Sequence, residues 1–180
     1  KFYIKFKPET KDQLIEAVTL WYEYKELALD RYGHISCWNT SLITDMNYLF
    51  KENEDFNDNI NSWDVSNVTS MIGMFEKASS FNQPLDSWDV SSVTDMNGML
   101  LGAKSFNQAL DSWDVSSVTD MNGMFYEASS FNQPLNSWNI SSVINMANMF
   151  YDAYMFNKKN ALWFEFIDYK IFKPKNKEEL

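Results

Sequence analysis

The chain has 180 residues, of which 45% are apolar and 17% aromatic, so it can bury a substantial core and is not a disordered chain. Its formal net charge of −10 argues against nucleic acid as a partner, because phosphate contacts need clustered lysines and arginines. No apolar run is long enough to cross a membrane. Cys37 is the only cysteine, which excludes an internal disulfide or a cysteine-based metal site, and we expect it to be a small buried side chain.

Residues 1–34 are predicted to form a capping region built around one amphipathic helix. Thr10 and Gln13 make a capping-box pattern, and Gly33 suits a C-terminal stop. The apolar stripe of this helix is Leu14, Ala17, Val18, Trp21, Tyr24, Leu27 and Ala28. A helix of about 20 residues outside the repeat pattern fits the terminal cap that a stacked core needs. His34, the only histidine, lies at the junction with the first repeat and is predicted to be structural, not catalytic.

A 25-residue repeat occupies residues 35–168, as five repeats followed by a degenerate C-terminal coil. The sequence SWDVSSVTDMNGM occurs letter for letter at 87–99 and again at 112–124. Four residue types keep this period, at Trp38, Trp63, Trp88, Trp113, Trp138 and Trp163; at Met46, Met71, Met96, Met121 and Met146; at Phe56, Phe81, Phe106, Phe131 and Phe156; and at Asn57, Asn82, Asn107, Asn132 and Asn157. A fixed period with constant apolar columns predicts a solenoid in which each coil buries its apolar edge against its neighbours.

Each repeat is predicted to contain one short strand followed by a short helical segment. Leu85, Trp88 and Val90 have the spacing of the strand segment of a leucine-rich repeat. From Val93 to Phe106 the apolar residues then recur every three or four positions, as in a helix. The predicted fold class is an α/β repeat solenoid, leucine-rich-repeat-like, with a parallel β-sheet of about six short strands on one face and short helices or 3-10 turns on the other.

The constant columns are interpreted as core and not as ligand sites. Met96 and Met99 recur at helical spacing beside leucine and phenylalanine, which indicates core filling rather than copper binding or a promiscuous groove. The tryptophan column predicts a buried stack. The asparagine column predicts a ladder in which each side chain bonds turn backbone and stacks on its equivalents. Gly73, Gly98 and Gly123 are attributed to close approach between neighbouring coils.

Alternation along the predicted strand turns serine and aspartate side chains to solvent in three rows, with about 4.8 Å between equivalent positions of a sheet. The rows are Ser62, Ser87, Ser112 and Ser137; Asp64, Asp89, Asp114 and Asn139; and Ser66, Ser91, Ser116 and Ser141. Two interpretations are open. Either serine hydroxyls and backbone donors satisfy the carboxylates and the face is only solvated, or the rows form an acidic strip for a basic or hydroxylated partner surface or a weak cation. A specific calcium site is disfavoured, because Ca²⁺ takes six to eight oxygens.

Catalysis is the least supported class of function. The sequence contains no glycine-rich phosphate loop, nucleophile elbow or metal-ligand cluster. Acid–base catalysis needs carboxyl groups in unlike environments, and the repeats place them in like ones. The protein is therefore predicted not to be an enzyme, and no metal or other cofactor is expected.

Residues 169–180 are predicted to begin a further module. The sequence FKPKNKEEL at 172–180 resembles FKPETKDQL at 6–14, which leads into the predicted capping helix. We therefore expect the natural protein to continue into another such module, and we expect end-to-end association between sister modules as a further property.

The repeats resemble those of the BspA-like leucine-rich-repeat surface proteins, in the subgroup with the 25-residue mycoplasma-lipoprotein-type repeat. The patterns W-[DN]-[VI]-S-x-V-x-x-M and A-x-x-F-N-Q recur in phase from Ile35 to Trp163, and KPETKDQL resembles the usual lead-in. The resemblance implies a right-handed leucine-rich-repeat-like solenoid in a cell-surface or secreted protein. It also implies an adhesion-like role, with a protein or glycan on a host or neighbouring cell as the partner.

The functional expectation is thus a non-enzymatic interaction module of a larger bacterial surface protein. We expect the Ser/Asp-lined face to carry the binding, centred on the second to fourth coils, because the first and last depart from the pattern. The alternative is a structural spacer, or a self-associating module, without a ligand of its own.

Overall fold

The computed structural model describes residues 6–166, with side chains as far as Phe164. The start of a further module predicted at 169–180 lies outside the described residues. The elements in chain order are α1 (Lys11–Glu23), α2 (Lys25–Tyr32) and 3-10 helices at Ile35–Cys37, Lys158–Asn160 and Leu162–Phe166. Over the range 6–166, no helix has both the length and the apolar character needed to cross a membrane.

The N-terminal cap consists of two helices, where the sequence predicted one. Thr10 caps α1 as predicted, its hydroxyl accepting the N–H of Gln13 at 3.3 Å. At Tyr24 the backbone leaves the helical region, with φ −140° and ψ 65°, and α2 starts at the next residue. The predicted stripe is therefore only partly buried. Leu14, Ala17, Val18, Trp21 and Ala28 lie in the core, while Tyr24 and Leu27 are 62% and 54% exposed.

Polar contacts fix this cap against the first repeat. The Trp21 indole N–H donates to Asp58 Oδ2 at 2.8 Å, and Lys25 Nζ lies 3.1 Å from Asp58 Oδ1. Lys11 Nζ pairs with Asp45 Oδ1 at 2.7 Å. Because Trp21 is almost fully buried, the bond to Asp58 also satisfies a donor that water does not reach.

The junction between cap and repeats is a single turn of 3-10 helix. His34 precedes it and accepts the N–H of Ser36 on its ring Nδ1 at 3.2 Å. Ile35 and Trp38 both face the core, because residues three apart share one side of a 3-10 helix. Cys37 lies on another side and is exposed, so the prediction that it is buried is wrong.

Each repeat contains a run of overlapping turns in place of the predicted helix. Alternate N–H groups bond the carbonyl three residues back, as Met99 does with Met96 at 3.1 Å. The N–H groups between them cross to the next repeat, at N···O distances of 2.7–2.9 Å in the third repeat. The pairs there are Met96 with Asp120, Gly98 with Asn122, Leu100 with Met124 and Gly102 with Tyr126. The same one-way ladder joins the other neighbouring repeats.

Two positions in each run of turns have left-handed backbone. In the third repeat they are Gly98 and Gly102, with φ of 58° and 67°. Each is the third residue of a hydrogen-bonded turn, the position where a type II turn requires positive φ. A right-handed helix cannot pass through such residues, so the apolar spacing between Val93 and Phe106 marks turns instead of the predicted helical segment.

The predicted fold class is wrong, because the described residues contain two short α-helices and no β-strand. The leucine-rich-repeat-like right-handed solenoid, with its parallel sheet and its helical opposite face, is not what the chain forms. The segment predicted as a strand is closed by two turns, in which Trp88 bonds Leu85 and Val93 bonds Val90, so these N–H groups are not free to pair with a neighbour. Parallel pairing is limited to isolated bridges, between Asp45 and Ser70, Ser70 and Asp95, Asp95 and Asp120, and Asp120 and Asn145.

Stacked aromatic rings fill the core between repeats, as the tryptophan and phenylalanine columns predicted. Ring centroids of paired tryptophans lie 6.1 Å apart for Trp38 and Trp63, and 6.5 Å apart for Trp88 and Trp113. The phenylalanine column stacks at centroid distances of 5.6–6.1 Å. The methionines of the predicted column are core residues, and Met96 has no exposed surface. Neighbouring repeats therefore share one continuous apolar layer.

The predicted asparagine ladder is confirmed. In four successive pairs, the side-chain oxygen of one asparagine accepts the backbone N–H of the asparagine 25 residues later, each at 2.9 Å. Asn107 illustrates the arrangement, since its Oδ1 accepts from Asn132 and, at 3.1 Å, from the Gln133 side chain. The column thus satisfies turn backbone across each interface.

Candidate functional site

The twelve serine, aspartate and asparagine residues predicted to face solvent are called the Ser/Asp face below. They are Ser62, Asp64, Ser66, Ser87, Asp89, Ser91, Ser112, Asp114, Ser116, Ser137, Asn139 and Ser141. The aspartates and Asn139 are exposed, whereas Ser66, Ser91 and Ser116 are half-buried. The face lies on turns that cover the tryptophan column, and not on a sheet.

One local motif recurs along the Ser/Asp face. In each of the second to fifth repeats, Oδ1 of the aspartate or asparagine accepts the N–H of the serine two residues later, at 3.0–3.1 Å. The hydroxyls of Ser66 and Ser91 add a second bond to the same oxygen, at 2.7 and 2.6 Å. Short polar side chains favour such turns because they bond their own backbone two residues on. The residue types therefore select the backbone conformation that displays them.

These turns also set the charge of the face. The Ser91 hydroxyl, and then its N–H, lower the pKa of Asp89 below its ordinary value, although the nearby Asp114 carboxylate acts in the opposite direction. The Ser116 hydroxyl and N–H lower the pKa of Asp114 in the same way. Hydrogen bonds to the ionised form thus outweigh the repulsion between neighbouring carboxylates, and both groups are charged at neutral pH.

The first row of the face serves mainly to join repeats. Ser62 and Ser137 donate their hydroxyls to backbone carbonyls 26 residues earlier, on Ser36 and Asp111. Ser112 does the same with Asp86 at 3.3 Å, and Ser87 N–H donates to the Asn61 side chain at 3.1 Å. The serines of this row are therefore occupied, which leaves the aspartate row as the chemically available part.

No sheet supports the rows, so the parallel strands that were predicted to set their spacing are absent from the described residues. Between Leu85 and Val93 the backbone makes turn bonds within its own repeat. The inter-repeat contacts there come from side chains, such as the Trp113 indole N–H that donates to Leu85 O at 2.9 Å. Asp114 is near enough to Asp89 for its carboxylate to act on the pKa of that group.

Sequence reasoning missed the first-repeat members of this face. Asn39 Oδ1 accepts the N–H of Ser41 at 3.1 Å, which is the same turn motif one period before Asp64 and Ser66. Together with Ser36, Cys37, Trp38, Ser62 and Asp64, these two residues line an open cavity of 340 Å³. Asn39 lies 25 residues before Asp64 and Ser41 lies 25 residues before Ser66, so the period of the repeat could have identified both. The face thus extends to the cap side of the stack.

Among the described residues, no three histidine, cysteine, aspartate or glutamate side chains are grouped so that they could hold a metal ion. The aspartates instead line up singly along the repeats. Such an arrangement suits contacts along an extended partner more than concentration of charge at one point.

A protein-family model matches the chain twice, over residues 20–114 and 84–170, and its description is "Mycoplasma protein of unknown function, DUF285". No curated protein and no solved structure matches the chain. The two matches overlap within the repeats and together extend from α1 to the last described repeat. The chain therefore belongs to the DUF285 family of mycoplasma repeat proteins.

Proposed function

We propose that this chain is a non-enzymatic interaction module, which binds a protein or glycan partner through the aspartate row of the Ser/Asp face. The observation that carries the proposal is the recurrence of one charged turn on the same side of successive repeats. Each aspartate is exposed, and each is held by the serine two residues on. A partner would meet fixed carboxylates without having to order them, which lowers the entropic cost of binding.

The hydrogen-bonding capacity of the row supports this role. For Asp64, Asp89 and Asp114, the bonds to serine use Oδ1, and Oδ2 has no protein partner within the described part of the chain. A charged carboxylate oxygen accepts strongly from ammonium, guanidinium or sugar hydroxyl groups. The open cavity beside Asn39, Ser41 and Asp64 adds concave surface at one end of the row.

The test replaces Asp64, Asp89 and Asp114 together by asparagine. Asn139 already makes the same turn, with its Oδ1 accepting the Ser141 N–H at 3.1 Å, so the triple variant removes charge and keeps the backbone. The labelled wild-type chain is titrated onto a glycan array and onto cultured epithelial cells. Binding of wild type and a loss of about tenfold or more in the variant are expected, because charged hydrogen bonds are worth more than neutral ones.

A control variant distinguishes binding by the aspartate row from general attraction to a negatively charged protein. Glu23→Gln, Glu26→Gln and Asp30→Asn remove the same number of negative charges from the cap, and none of the three forms an ion pair within residues 6–164. The control is expected to bind like wild type. Equal loss in both variants, or unchanged binding in the Asp→Asn triple variant, would contradict the proposal.

A structural spacer is the second candidate, and the C-terminal end of the stack favours it. Met146, Met149, Phe150, Phe156 and Phe164 help to line an open and mainly apolar cavity of 410 Å³ there. A second module that covered this end would continue the core. Small-angle scattering over a concentration series tests it: end-to-end growth, together with no binding to cells or glycans, favours the spacer.

We further propose that the protein acts at the cell surface, as a relative of the BspA-like surface proteins. The support is the in-phase W-[DN]-[VI]-S-x-V-x-x-M pattern, independent of the leucine-rich-repeat fold that the structure overturns. Protease treatment of intact cells that express the natural full-length protein tests this location. Loss of the repeat region while a cytoplasmic marker stays intact is expected, and full protection of the repeats would contradict it.

A further inference from the structure

A second surface lies on the run of turns, in columns of the repeat that the Ser/Asp face does not use. It consists of Tyr126, Glu127, Tyr151, Asp152 and Tyr154, and it is called the tyrosine–acid patch below. The rings of Tyr126 and Tyr151 stack, with centroids 5.0 Å apart and an interplanar angle of 13°. Tyr151 and Tyr154 are 50% and 78% exposed. Tyr151 of the stacked pair and the neighbouring Tyr154 are therefore available for contact with a partner.

The backbone holds this patch in place. Glu127 and Asp152 both have φ of 55°, in the left-handed positions of the turns. The Glu127 N–H crosses to the Tyr151 carbonyl at 2.8 Å, and so joins the two repeats at the patch itself. The turns therefore fix the backbone that carries the two acidic side chains of the tyrosine–acid patch.

The same columns at the other end of the stack are neutralised by lysines. Lys51 Nζ lies 3.2 Å from Glu76 Oε1, and Lys77 Nζ lies 3.2 Å from Glu52 Oε1, so each repeat supplies the cation for its neighbour. Lys51 Nζ also lies 5.1 Å from the centroid of the Tyr48 ring. In the first two repeats, then, an ammonium group occupies a site made of a carboxylate and a tyrosine ring.

In the fourth and fifth repeats the same two columns hold one tyrosine and one carboxylate in each repeat and no lysine, while the column of Tyr48 holds Gly123 and Asn148. Tyr126 and Tyr151 take the column of Lys51 and Glu76, and Glu127 and Asp152 take the column of Glu52 and Lys77. Within residues 6–164, no lysine or arginine forms an ion pair with Glu127 or Asp152. The Asp152 carboxylate raises the pKa of Tyr154, whose side chain is 78% exposed.

We propose that the tyrosine–acid patch binds a lysine- or arginine-bearing segment of a partner protein, with the basic side chain packed on the tyrosine rings and paired with Glu127 and Asp152. Carboxylates supply charge complementarity, and exposed aromatic faces attract cations. Lys51, which meets both the Glu76 carboxylate and the Tyr48 ring, shows this chemistry within the same chain. The proposal does not depend on the Ser/Asp face, so it can fail or succeed independently of it.

The test measures fluorescence polarisation of a labelled hexalysine peptide titrated with the full chain. Two variants of the patch are compared with wild type, Glu127→Gln with Asp152→Asn, and Tyr126→Leu with Tyr151→Leu. Asparagine and glutamine keep the turns, and asparagine is favoured at positive φ. Each variant is expected to weaken peptide binding by about five- to tenfold, since each removes one half of the cation site.

Glu23→Gln with Glu26→Gln removes two charges far from these columns and serves as the control, with near-wild-type binding expected. Three outcomes overturn the proposal. The first is equal weakening in the control, and the second is no effect of the tyrosine changes, which would leave only general attraction to a negative protein. The third is stronger peptide binding when Lys170, Lys173, Lys175 and Lys177 are replaced by glutamine, which would make the chain's own terminal segment the occupant. Binding of the same protein preparations to cells and glycans is measured separately. A loss of peptide binding is thereby distinguished from a loss of binding at the Ser/Asp face.

Discussion

Left-handed backbone at one turn position accounts for the glycine column of the repeats. Gly98 and Gly123 have φ of 58° and 59°, and a Cβ built on either would meet its nearest neighbour at an ordinary 3.7 Å. Close approach, the explanation predicted from sequence, is therefore wrong at these two. It holds at Gly73, where a Cβ would lie 2.5 Å from the Tyr48 ring. Conformation explains two of the three glycines, and packing contributes at the third.

This distinction predicts the effect of substitution at Gly98. Alanine has room there but must adopt positive φ, so Gly98→Ala is expected to lower the free energy of unfolding by about 1 kcal/mol. Gly98→Asn should cost clearly less, because asparagine tolerates this conformation and Asn148 already adopts it with φ 56° in the same column. Denaturant unfolding of both variants measures the difference. Equal losses would show that space, not backbone conformation, keeps the glycine.

The lowered pKa values of Asp89 and Asp114 predict a pH effect on stability. Because folding lowers both values relative to the unfolded chain, their contribution is present above the ordinary pKa of 3.8 and is lost as pH falls through the folded values. Between pH 6 and pH 2.5, wild type should therefore lose more thermal stability than Asp89→Asn with Asp114→Asn. A difference in Tm between the two proteins that does not change with pH would show that the serine bonds do not favour the ionised carboxylates.

The asparagine ladder is the element that ties the outer loops of neighbouring repeats together. Asn107 accepts from the Asn132 N–H and from Gln133, and its own N–H donates to Asn82. The side chain thus satisfies groups of the next repeat, while the backbone of the same residue is satisfied by the previous one. Loss of one rung leaves donors of the next repeat without their acceptor.

Asn107→Ala is therefore expected to lower the free energy of unfolding by about 1 kcal/mol, the usual net value of a hydrogen bond, because water can reach the exposed Asn132. Asn107→Asp is the matched variant, since a carboxylate keeps an acceptor at the same place, and it should cost less. Thermal and urea unfolding of the two variants provide the comparison. A larger loss for Asp than for Ala would mean that charge repulsion, not loss of the acceptor, dominates at this position.

Side-chain columns were predictable from the sequence, and backbone hydrogen bonding was not. The buried tryptophans, the methionine core and the asparagine ladder depend on period and residue type, which the sequence displays directly. The strand and helix predictions failed because a turn also brings residues three apart onto one side, as between Leu85 and Trp88. The spacing of apolar residues does not report the sign of φ at Gly98 and Gly102, and that sign separates turns from helix.

The candidate site, too, was predictable in its side chains and not in its backbone. The solvent-facing rows were found from alternation, and the pairing of aspartates with serine donors was one of the two interpretations left open. The sequence did not predict that the rows lie on turns. The turns depend on the hydrogen bond between each aspartate and the serine two residues later, and they stand where a strand was predicted. Asn39 and Ser41 were missed because the first repeat differs in the residues around them, although they keep the period.

At the scale of the whole molecule, stability is a sum over like interfaces between neighbouring repeats. The identical sequences at 87–99 and 112–124 allow one period to be removed without a new junction, by deletion of residues 87–111. This shortened chain should unfold cooperatively at a lower Tm, with buried tryptophans and native-like near-ultraviolet circular dichroism. Deletion of 88–111 is the control. It removes one residue fewer, so every later Trp, Phe and Asn is shifted by one position relative to its equivalents in the earlier repeats.

The control is expected to lose native tryptophan fluorescence and cooperative unfolding, because the Trp, Phe and Asn columns no longer meet their equivalents. Comparable folding of the two deletions would show that the 25-residue register does not specify the stack. Failure of both would show instead that the repeats are not interchangeable units.

The one-way ladder of the turns also has a consequence for symmetry. At the last repeat, the amides of Met146, Asn148, Phe150 and Asp152 occupy the donor positions, and they find no backbone acceptor within residues 6–166. Two such ends that met face to face would oppose donor to donor, so this ladder cannot be extended across a twofold axis at that end. A partner that covered this end would therefore have to present hydrogen-bond acceptors at the spacing of these amides.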